Sequence, residues 1–207
     1  MNDKNPEKDY VSQFHTYPDP TNLVYHIPLG LDCTIAHQLK KYSLRFAALP
    51  FDWMKITIDN LLNVLNKQFF NFLNKERWSI IEQSANFNYV DDIDMVDTNS
   101  LLKLKHKDYK IILPHESKND IIDLDEIMDK YKRRIDRFNE IIKSNKSKII
   151  YIGIDKINDL DKQKIIKCLD DNGCINYKIK FIEYLNYPRI GDYSWHRNWV
   201  PWNILFN

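Results

Sequence analysis

Glycine and cysteine are both scarce in this chain, which holds four glycines and three cysteines among its 207 residues. No two glycines lie close together, so there is no glycine-rich loop to cradle phosphates, and this argues against a nucleotide-using enzyme. Cys33, Cys168 and Cys174 are odd in number and lack a short repeated spacing, a pattern that fits neither a disulfide framework nor a zinc ribbon. We therefore expect a reducing compartment, no metal site and no cofactor.

An excess of charge and a long apolar run are also missing. The 30 basic and 29 acidic side chains give a net charge of +1, which provides no global attraction to nucleic acid or to an anionic bilayer. No run approaches ~20 apolar residues, and the polar residues 1–9 lack the apolar core of a signal peptide. We expect a cytoplasmic protein without nucleic-acid or membrane partners. Its substrate, a protein or a small molecule, and its oligomeric state are left open.

The composition that remains is that of an ordinary globular protein, with 43% hydrophobic and 29% charged residues. The length fits one domain. We predict an N-terminal arm over residues 1–20, where three prolines stand among charges, followed by a single α/β domain over 21–207. A helical subregion is predicted to be inserted at about residues 55–105.

Strand and helix signals alternate along the domain. Apolar, β-prone runs cover residues 23–29, 109–113, 148–154 and 177–185, and each is tied to a helical pattern. The last two runs, joined by a helix over 161–170, predict a right-handed parallel βαβ unit. The whole pattern predicts an α/β fold with an open, mostly parallel sheet and flanking helices.

Apolar periodicity predicts two long helices, over 57–73 and from Asp123 or Asp125 to Ile142, and residues 78–81 suggest more helix. On the second long helix, Arg133, Arg134 and Arg137 are expected on the solvated face, near acidic residues that neutralise them. The aromatic tail over 192–202 is predicted to fold back onto the body.

The prediction of function depends mainly on Cys33. An apolar strand leads to a sharp turn at Gly30, Asp32 is a good N-cap, and Thr34 begins a helical pattern. Cys33 then falls at the first helical position, where unsatisfied N–H groups and the macrodipole favour a thiolate over a thiol. The alternative is a small apolar side chain wedged between strand and helix.

Polar side chains follow each predicted strand at the edge where open parallel sheets bind ligands. In strand order they are Cys33, His115, Asp155, and then Asn186, Asp192 and His196. A thiol, imidazoles and carboxylates together suit nucleophilic catalysis. We take Cys33 as the nucleophile and His115 as the base, with His37 and His196 as competitors. The orienting acid is left open between Asp155, Asp52 and Asp192.

The residues expected around the substrate are Gly30, Asp32, Arg45, Arg134 and His196. The N–H groups that begin the Cys33 helix would stabilise an oxyanion. Asp52 is flanked by Phe51 and Trp53, so it should accept hydrogen bonds or pair with a cation.

Several motifs resemble a family of predicted papain-like cysteine peptidases found in bacteria and large DNA viruses. They are Ile27-Pro28-Leu29-Gly30-Leu31-Asp32-Cys33, Leu44-Arg45, Pro50-Phe51-Asp52-Trp53, Leu113-Pro114-His115-Glu116 and the arginine-rich stretch over 131–138. The resemblance spans roughly residues 24–155. It implies a nucleophile at Cys33, a base at His115 and a papain-like α+β fold as the alternative to the parallel sheet. Glu116 stands where an aspartate often follows the family's histidine.

We therefore expect one of two functions. The first is a cysteine-dependent hydrolase, a papain-like peptidase or related acyl-transfer enzyme, that uses Cys33 and His115. The second is a non-catalytic ligand-binding or host-interaction module, in which an anionic or sugar-like ligand is held by Arg45, Arg133, Arg134, Arg137 and the tail tryptophans.

Overall fold

The computed structural model describes residues 23–82, 102–118, 120–187, 197 and 199–206. The described helices and strands, in chain order, are β1 (Tyr25–Pro28), α1 (Thr34–Lys41), α2 (Ile58–Asn66), β2 (Trp78–Glu82), β3 (Leu102–His106), β4 (Ile112–Leu113), α3 (Leu124–Lys143), β5 (Lys148–Ile154), α4 (Asp159–Asp171), β6 (Tyr177–Glu183) and α5 (Trp202–Leu205). Short 3-10 helices cover Lys75–Arg77 and Tyr184–Asn186.

A three-stranded parallel sheet has the order β1-β5-β6. Tyr25 lies opposite Lys148, and Lys148 lies opposite Tyr177, so the central strand β5 is paired along both edges. Ile150 and Ile152 of β5 are fully buried, as expected for a strand between packed layers. Helix α4 connects β5 to β6. The predicted α/β class, with a parallel sheet flanked by helices, is confirmed, and so is its βαβ unit.

A second sheet is antiparallel, with the order β2-β3-β4. The predicted strand over 109–113 is therefore wrongly placed, because its described part, β4, pairs with β3 and lies outside the parallel sheet. The chain between His106 and Ile112 is short enough for an antiparallel connection but too short for a parallel crossover. The predicted helix at residues 78–81 is also wrong, because β2 pairs along its full length with β3.

Several sequence predictions lie wholly or partly outside the described residues. The N-terminal arm over 1–20 lies wholly outside them. So do residues 86–90, whose alternation suggests a short strand, and the acidic residues over 91–97, which suggest a solvated loop. The aromatic tail over 192–202 lies outside them in part. The inserted subregion at about 55–105 is described in part, and there it contains α2 and two antiparallel strands.

The two long helices differ in how well their lengths follow the apolar pattern. Helix α3 begins after Asp123, whose carboxylate accepts the N–H groups of Asp125 and Glu126, and it ends at Lys143, one residue beyond the predicted end at Ile142. Helix α2 ends at Asn66, although buried Phe69 and Phe72 continue the pattern. The chain beyond α2 turns through the left-handed region, with a φ of 58° at Phe69.

Apolar side chains pack on both sides of the parallel sheet. The larger cluster includes Phe51, Phe72, Phe138 and Ile150. The smaller one joins Ile35, Leu39, Tyr151 and Tyr184 to Val200, Trp202 and Phe206 of the C-terminal segment. The described part of the tail thus packs onto the body, as predicted. Within the described residues, no helix combines the length and the apolar character needed to cross a bilayer.

Candidate functional site

The turn before Cys33 is set by close backbone contacts. Leu29 N–H donates to Tyr151 O (2.9 Å), which ties the end of the first strand to β5. A Cβ atom at Gly30 would lie 2.6 Å from Asp32 O, so this position requires glycine. Cys33 is the N-cap residue of α1, one position earlier than predicted, and Asp32 Oδ1 accepts the Thr34 N–H (2.9 Å). The sulfur is therefore carried at the positive end of a helix.

His115 lies two residues after β4, and its ring reaches the cysteine. The distance between His115 Nε2 and Cys33 Sγ is 3.6 Å. Cys33 is 8% exposed and His115 is half-buried. A thiol and an imidazole at this separation can exchange a proton without a large rearrangement.

The segment over residues 50–56 connects the loop of Cys33 to the strand of His115. Ile56 N–H donates to Leu31 O (3.0 Å) in the cysteine loop. Lys55 and Ile112 exchange two backbone hydrogen bonds (2.8 and 3.0 Å). Through these bonds the segment holds a loop from the parallel sheet against a strand of the antiparallel sheet.

Trp53 of this segment packs against the imidazole. Its ring meets His115 edge to face, with centroids 6.2 Å apart, and Arg45 Cζ lies 5.5 Å from the Trp53 ring centre. The aromatic contact limits the orientations open to the His115 ring.

Asp52 is a fully buried carboxylate that fixes the shape of the same segment. Its Oδ2 accepts the Leu49 N–H (3.0 Å) and pairs with Arg45 Nη2 (2.5 Å), as the apolar flanks of Asp52 predicted. Burial raises the pKa of Asp52, while Arg45 and Arg134 oppose this rise. The pair supports Trp53, which in turn contacts His115.

Glu116, directly after His115, is bound by two side chains of α3. Its buried carboxylate forms an ion pair with Lys130, and Tyr131 Oη donates to Glu116 Oε1 (3.3 Å). Burial raises the pKa of Tyr131 well above its usual value, and the Glu116 charge raises it further, so the phenol remains a proton donor. The backbone beside His115 is thereby anchored to α3. Sequence reasoning gave Lys130 and Tyr131 no role at the site. The signal that could have indicated one is their adjacent position on a helix that begins shortly after His115 and Glu116.

Arg134 lies on the inner side of α3, and its predicted solvated position is wrong. The residue is 8% exposed, and its guanidinium carbon lies 5.2 Å from the Tyr131 ring centre. Its Nε and Nη1 atoms have no hydrogen-bond partner within the described residues. Tyr131 thus contacts both charged groups, because Glu116 accepts from its hydroxyl and Arg134 lies over its ring, and a charge on Cys33 would also raise its pKa.

Two further predicted residues, Asp32 and Asp155, meet at Arg197. Arg197 Nη1 lies 3.0 Å from Asp32 Oδ2, and Arg197 Nη2 lies 3.6 Å from Asp155 Oδ1. Sequence reasoning missed Arg197, whose neighbour His196 it had considered; His196 and Asp192 lie outside the described residues. Over the described ranges, no group of three or more His, Cys, Asp or Glu side chains is arranged to hold a metal ion.

Comparisons with known proteins give one family and one distant relative. A family model described as "Putative papain-like cysteine peptidase" matches residues 25–185, a range that includes Cys33 and His115. The chain is 25% identical over 189 residues to a protein of Acanthamoeba polyphaga mimivirus named "Uncharacterized protein R408", which covers 84% of this chain and 83% of that protein. No solved structure matches the chain significantly.

Proposed function

Because the chain belongs to this papain-like cysteine peptidase family, we propose that it is a cysteine-dependent hydrolase or acyl-transfer enzyme with Cys33 as nucleophile and His115 as general base. The observation that carries the proposal is the 3.6 Å separation between Cys33 Sγ and His115 Nε2. The two residues follow strands of different sheets, β1 and β4, and are 82 residues apart in sequence.

The proposed reaction is an acyl transfer through a thioester. His115 takes the Cys33 proton as the sulfur attacks the substrate carbonyl carbon, and a tetrahedral intermediate forms. The intermediate collapses as His115 returns the proton to the leaving group, which departs and leaves the acyl group on Cys33. A water molecule, deprotonated by His115, or a second nucleophile then releases the acyl group.

The electrostatic surroundings support a negatively charged sulfur. Cys33 is the N-cap of α1, so the helix dipole stabilises an anion there. The Thr34 N–H is already bonded to Asp32, which leaves the later N–H groups of the first turn as the donors for an oxyanion.

The alternative of a non-catalytic module has less support in the structure. Arg45 pairs with Asp52, and Arg137 Nη1 donates to Ala48 O (2.6 Å). Arg134 is buried, so Arg133 alone among the four proposed ligand-binding arginines is exposed. These contacts hold the fold together and leave little of the proposed anion-binding surface open to a ligand.

Alkylation by iodoacetamide at neutral pH, with the labelled residue mapped by mass spectrometry, tests the nucleophile. Burial raises the pKa values of Cys168 and Cys174 to about 11, so both should remain unreactive thiols. We expect Cys33 to react first, more slowly in a His115→Gln variant, and at an unchanged rate in the matched control Cys168→Ala. Labelling of all three cysteines at similar rates would overturn the assignment.

Hydrolysis assays separate the kinds of acyl transfer. A panel of activated esters, thioesters and fluorogenic peptide amides should show at least one substrate whose kcat/KM falls about a thousandfold or more in both Cys33→Ala and His115→Gln. Cleavage of amides would favour a peptidase, and cleavage of esters or thioesters alone would favour another acyl-transfer enzyme. Activity that survives in Cys33→Ala would exclude the proposed mechanism.

A further inference from the structure

Arg197 connects the C-terminal segment to the turn that carries Cys33. Its Nη1 donates to Asp32 Oδ2 (3.0 Å) and to Thr34 Oγ1 (3.4 Å). Its Nη2 lies 3.6 Å from Asp155 Oδ1, and its guanidinium carbon stacks 3.7 Å from the Tyr184 ring centre. One guanidinium therefore joins two carboxylates, a hydroxyl and an aromatic face.

These contacts fix the two residues that flank the nucleophile in the sequence. Asp32 is held at both oxygens, since Oδ1 accepts the Thr34 N–H (2.9 Å) and Oδ2 accepts from Arg197. Thr34 is held through its hydroxyl by the same guanidinium. Cys33 lies between the two, so its backbone is constrained at the residue before and the residue after.

The backbone of Arg197 is strained, and buried contacts maintain the strain. Its φ is 51°, a left-handed value that side chains with a Cβ atom adopt only at a cost. Arg197 O accepts the Val200 N–H (3.0 Å) and Trp202 Nε1 (2.9 Å), and Trp202 is 2% exposed. The C-terminal segment thus holds Arg197 in a costly conformation that directs its side chain to Asp32.

The charge of Arg197 also bears on Cys33. A carboxylate at Asp32, next to the sulfur in sequence, repels a thiolate and favours the neutral thiol. Arg197 lies directly against this carboxylate, and its side chain is 18% exposed, so solvent screens the pair only in part. Its positive charge offsets the repulsion.

We propose that Arg197 is a positioning residue for the nucleophile: it fixes the turn from Asp32 to Thr34 and neutralises Asp32, so that Cys33 stays directed at His115 and readily ionised. The inference rests on the proposed function of Cys33. It assigns a role at the site to a segment beyond residues 25–185, the range that the family model matches.

The test is the pH dependence of the rate at which iodoacetamide alkylates Cys33. We expect Arg197→Met to move the midpoint to higher pH and to lower the rate at neutral pH about threefold to tenfold. Arg197→Lys should lie between this variant and the wild type, because it keeps the charge and loses the fork geometry. The matched control is Lys180→Met, which removes a different contact of the C-terminal segment, the bond from Lys180 Nζ to Leu205 O (2.7 Å). Its midpoint should equal that of the wild type.

A double-mutant cycle distinguishes the charge effect from general loosening. Asp32→Asn keeps an oxygen for the Thr34 N–H and removes the carboxylate, so it should move the midpoint to lower pH. Combined with Arg197→Met, it should return the midpoint close to the wild-type value.

A profile of Arg197→Met that coincides with the wild type would overturn the inference, and so would an unshifted midpoint in Asp32→Asn. If Arg197→Met fails to fold, judged by circular dichroism, Asp32→Asn and Arg197→Lys decide instead. If Cys33 in the wild type reacts no faster than Cys168, the failure belongs to the proposed nucleophile and not to Arg197.

Discussion

Arg134 is a buried cation without a full set of partners. Three cations and two anions are found among the residues that support the site. Arg45 pairs with Asp52, Lys130 pairs with Glu116, and Arg134 is buried. Arg45 and Lys130 each pair with a carboxylate, so Arg134 is the surplus charge of this group. A buried charge without a counterion is costly. We expect a thiolate at Cys33, whose charge acts on the same Tyr131, to offset this cost.

Replacing Arg134 by methionine tests this balance. We expect Arg134→Met to lower the alkylation rate of Cys33 at neutral pH about tenfold, because the site loses the buried positive charge over Tyr131, the phenol on which Cys33 also acts. Thermal stability should be unchanged or higher, since an incompletely bonded buried charge is removed. Arg133→Met, at the exposed neighbouring position, is the control and should change neither quantity. A less stable Arg134→Met protein with the wild-type alkylation rate would show that the charge has a purely structural role.

The sequence predicts the surroundings of some residues better than those of others. The partner of Asp52 is predictable, because its apolar flanks make an unpaired carboxylate too costly. The burial of Arg134 is harder to predict. It lies three residues after buried Tyr131, which places it on the apolar face of α3, whereas its charge favours a solvent-exposed position. Only the tertiary structure shows which of these tendencies prevails.

Lys148 links three elements at the start of β5. Its Nζ donates to Ser144 O (2.6 Å), Lys146 O (2.8 Å) and Ile175 O (2.7 Å), and the residue is 1% exposed. Ser144 follows α3 directly, and Ile175 precedes β6. Burial lowers the pKa of Lys148. The ammonium thus joins the end of a helix, the start of the central strand and the turn before its neighbour.

Lys148→Met should therefore destabilise the parallel sheet. Three carbonyl groups lose their shared donor, and we expect the free energy of unfolding to fall by about 2–4 kcal/mol. Urea unfolding followed by circular dichroism measures the loss. Lys178→Met, at an exposed position of β6, is the matched control and should change stability by less than about 0.5 kcal/mol. Equal midpoints for the two variants would mean that the three hydrogen bonds contribute little.

The βαβ unit, whose signals are local, was predicted well, and the strands of the antiparallel sheet were not. The βαβ unit over 148–183 follows from a strand, an amphipathic helix and a strand with short connections. Strand β2 has no such signal, because its partner β3 begins 20 residues after β2 ends. Strand β4 contains only Ile112 and Leu113, too few residues for their alternation to identify a sheet.

At the scale of the molecule, the site lies where the two sheets meet. The sequence led us to expect Cys33 and His115 at one common edge of a parallel sheet. The two side chains do lie together, but His115 arrives from the antiparallel sheet through the bonds of the 50–56 segment. The chemistry of the pair was available from residue types and strand ends. The way in which the fold brings His115 to Cys33 could not be predicted, because it depends on backbone hydrogen bonds between residues distant in sequence.

The buried cysteines outside the site make the stability of the whole fold sensitive to high pH. Cys168 and Cys174 are each 3% exposed, and burial raises their pKa values to about 11, above the usual value of about 8.5. Burial also raises the pKa of Tyr151 to about 12. Because the folded-state values are the higher ones, the stabilisation is fully present below the unfolded values and is lost as pH rises through the folded ones.

We therefore expect the free energy of unfolding to fall by a few kcal/mol between about pH 8.5 and pH 11, the window set by the two thiols. Urea unfolding at a series of pH values measures the slope. The double variant Cys168→Ala/Cys174→Ala should show a shallower fall over this window, because it lacks these two buried thiols. Tyr151 is present in both proteins and lowers the stability of both equally from about pH 10, its usual pKa, upward. If wild type and variant lose stability with the same slope, alkaline unfolding has its origin elsewhere in the protein.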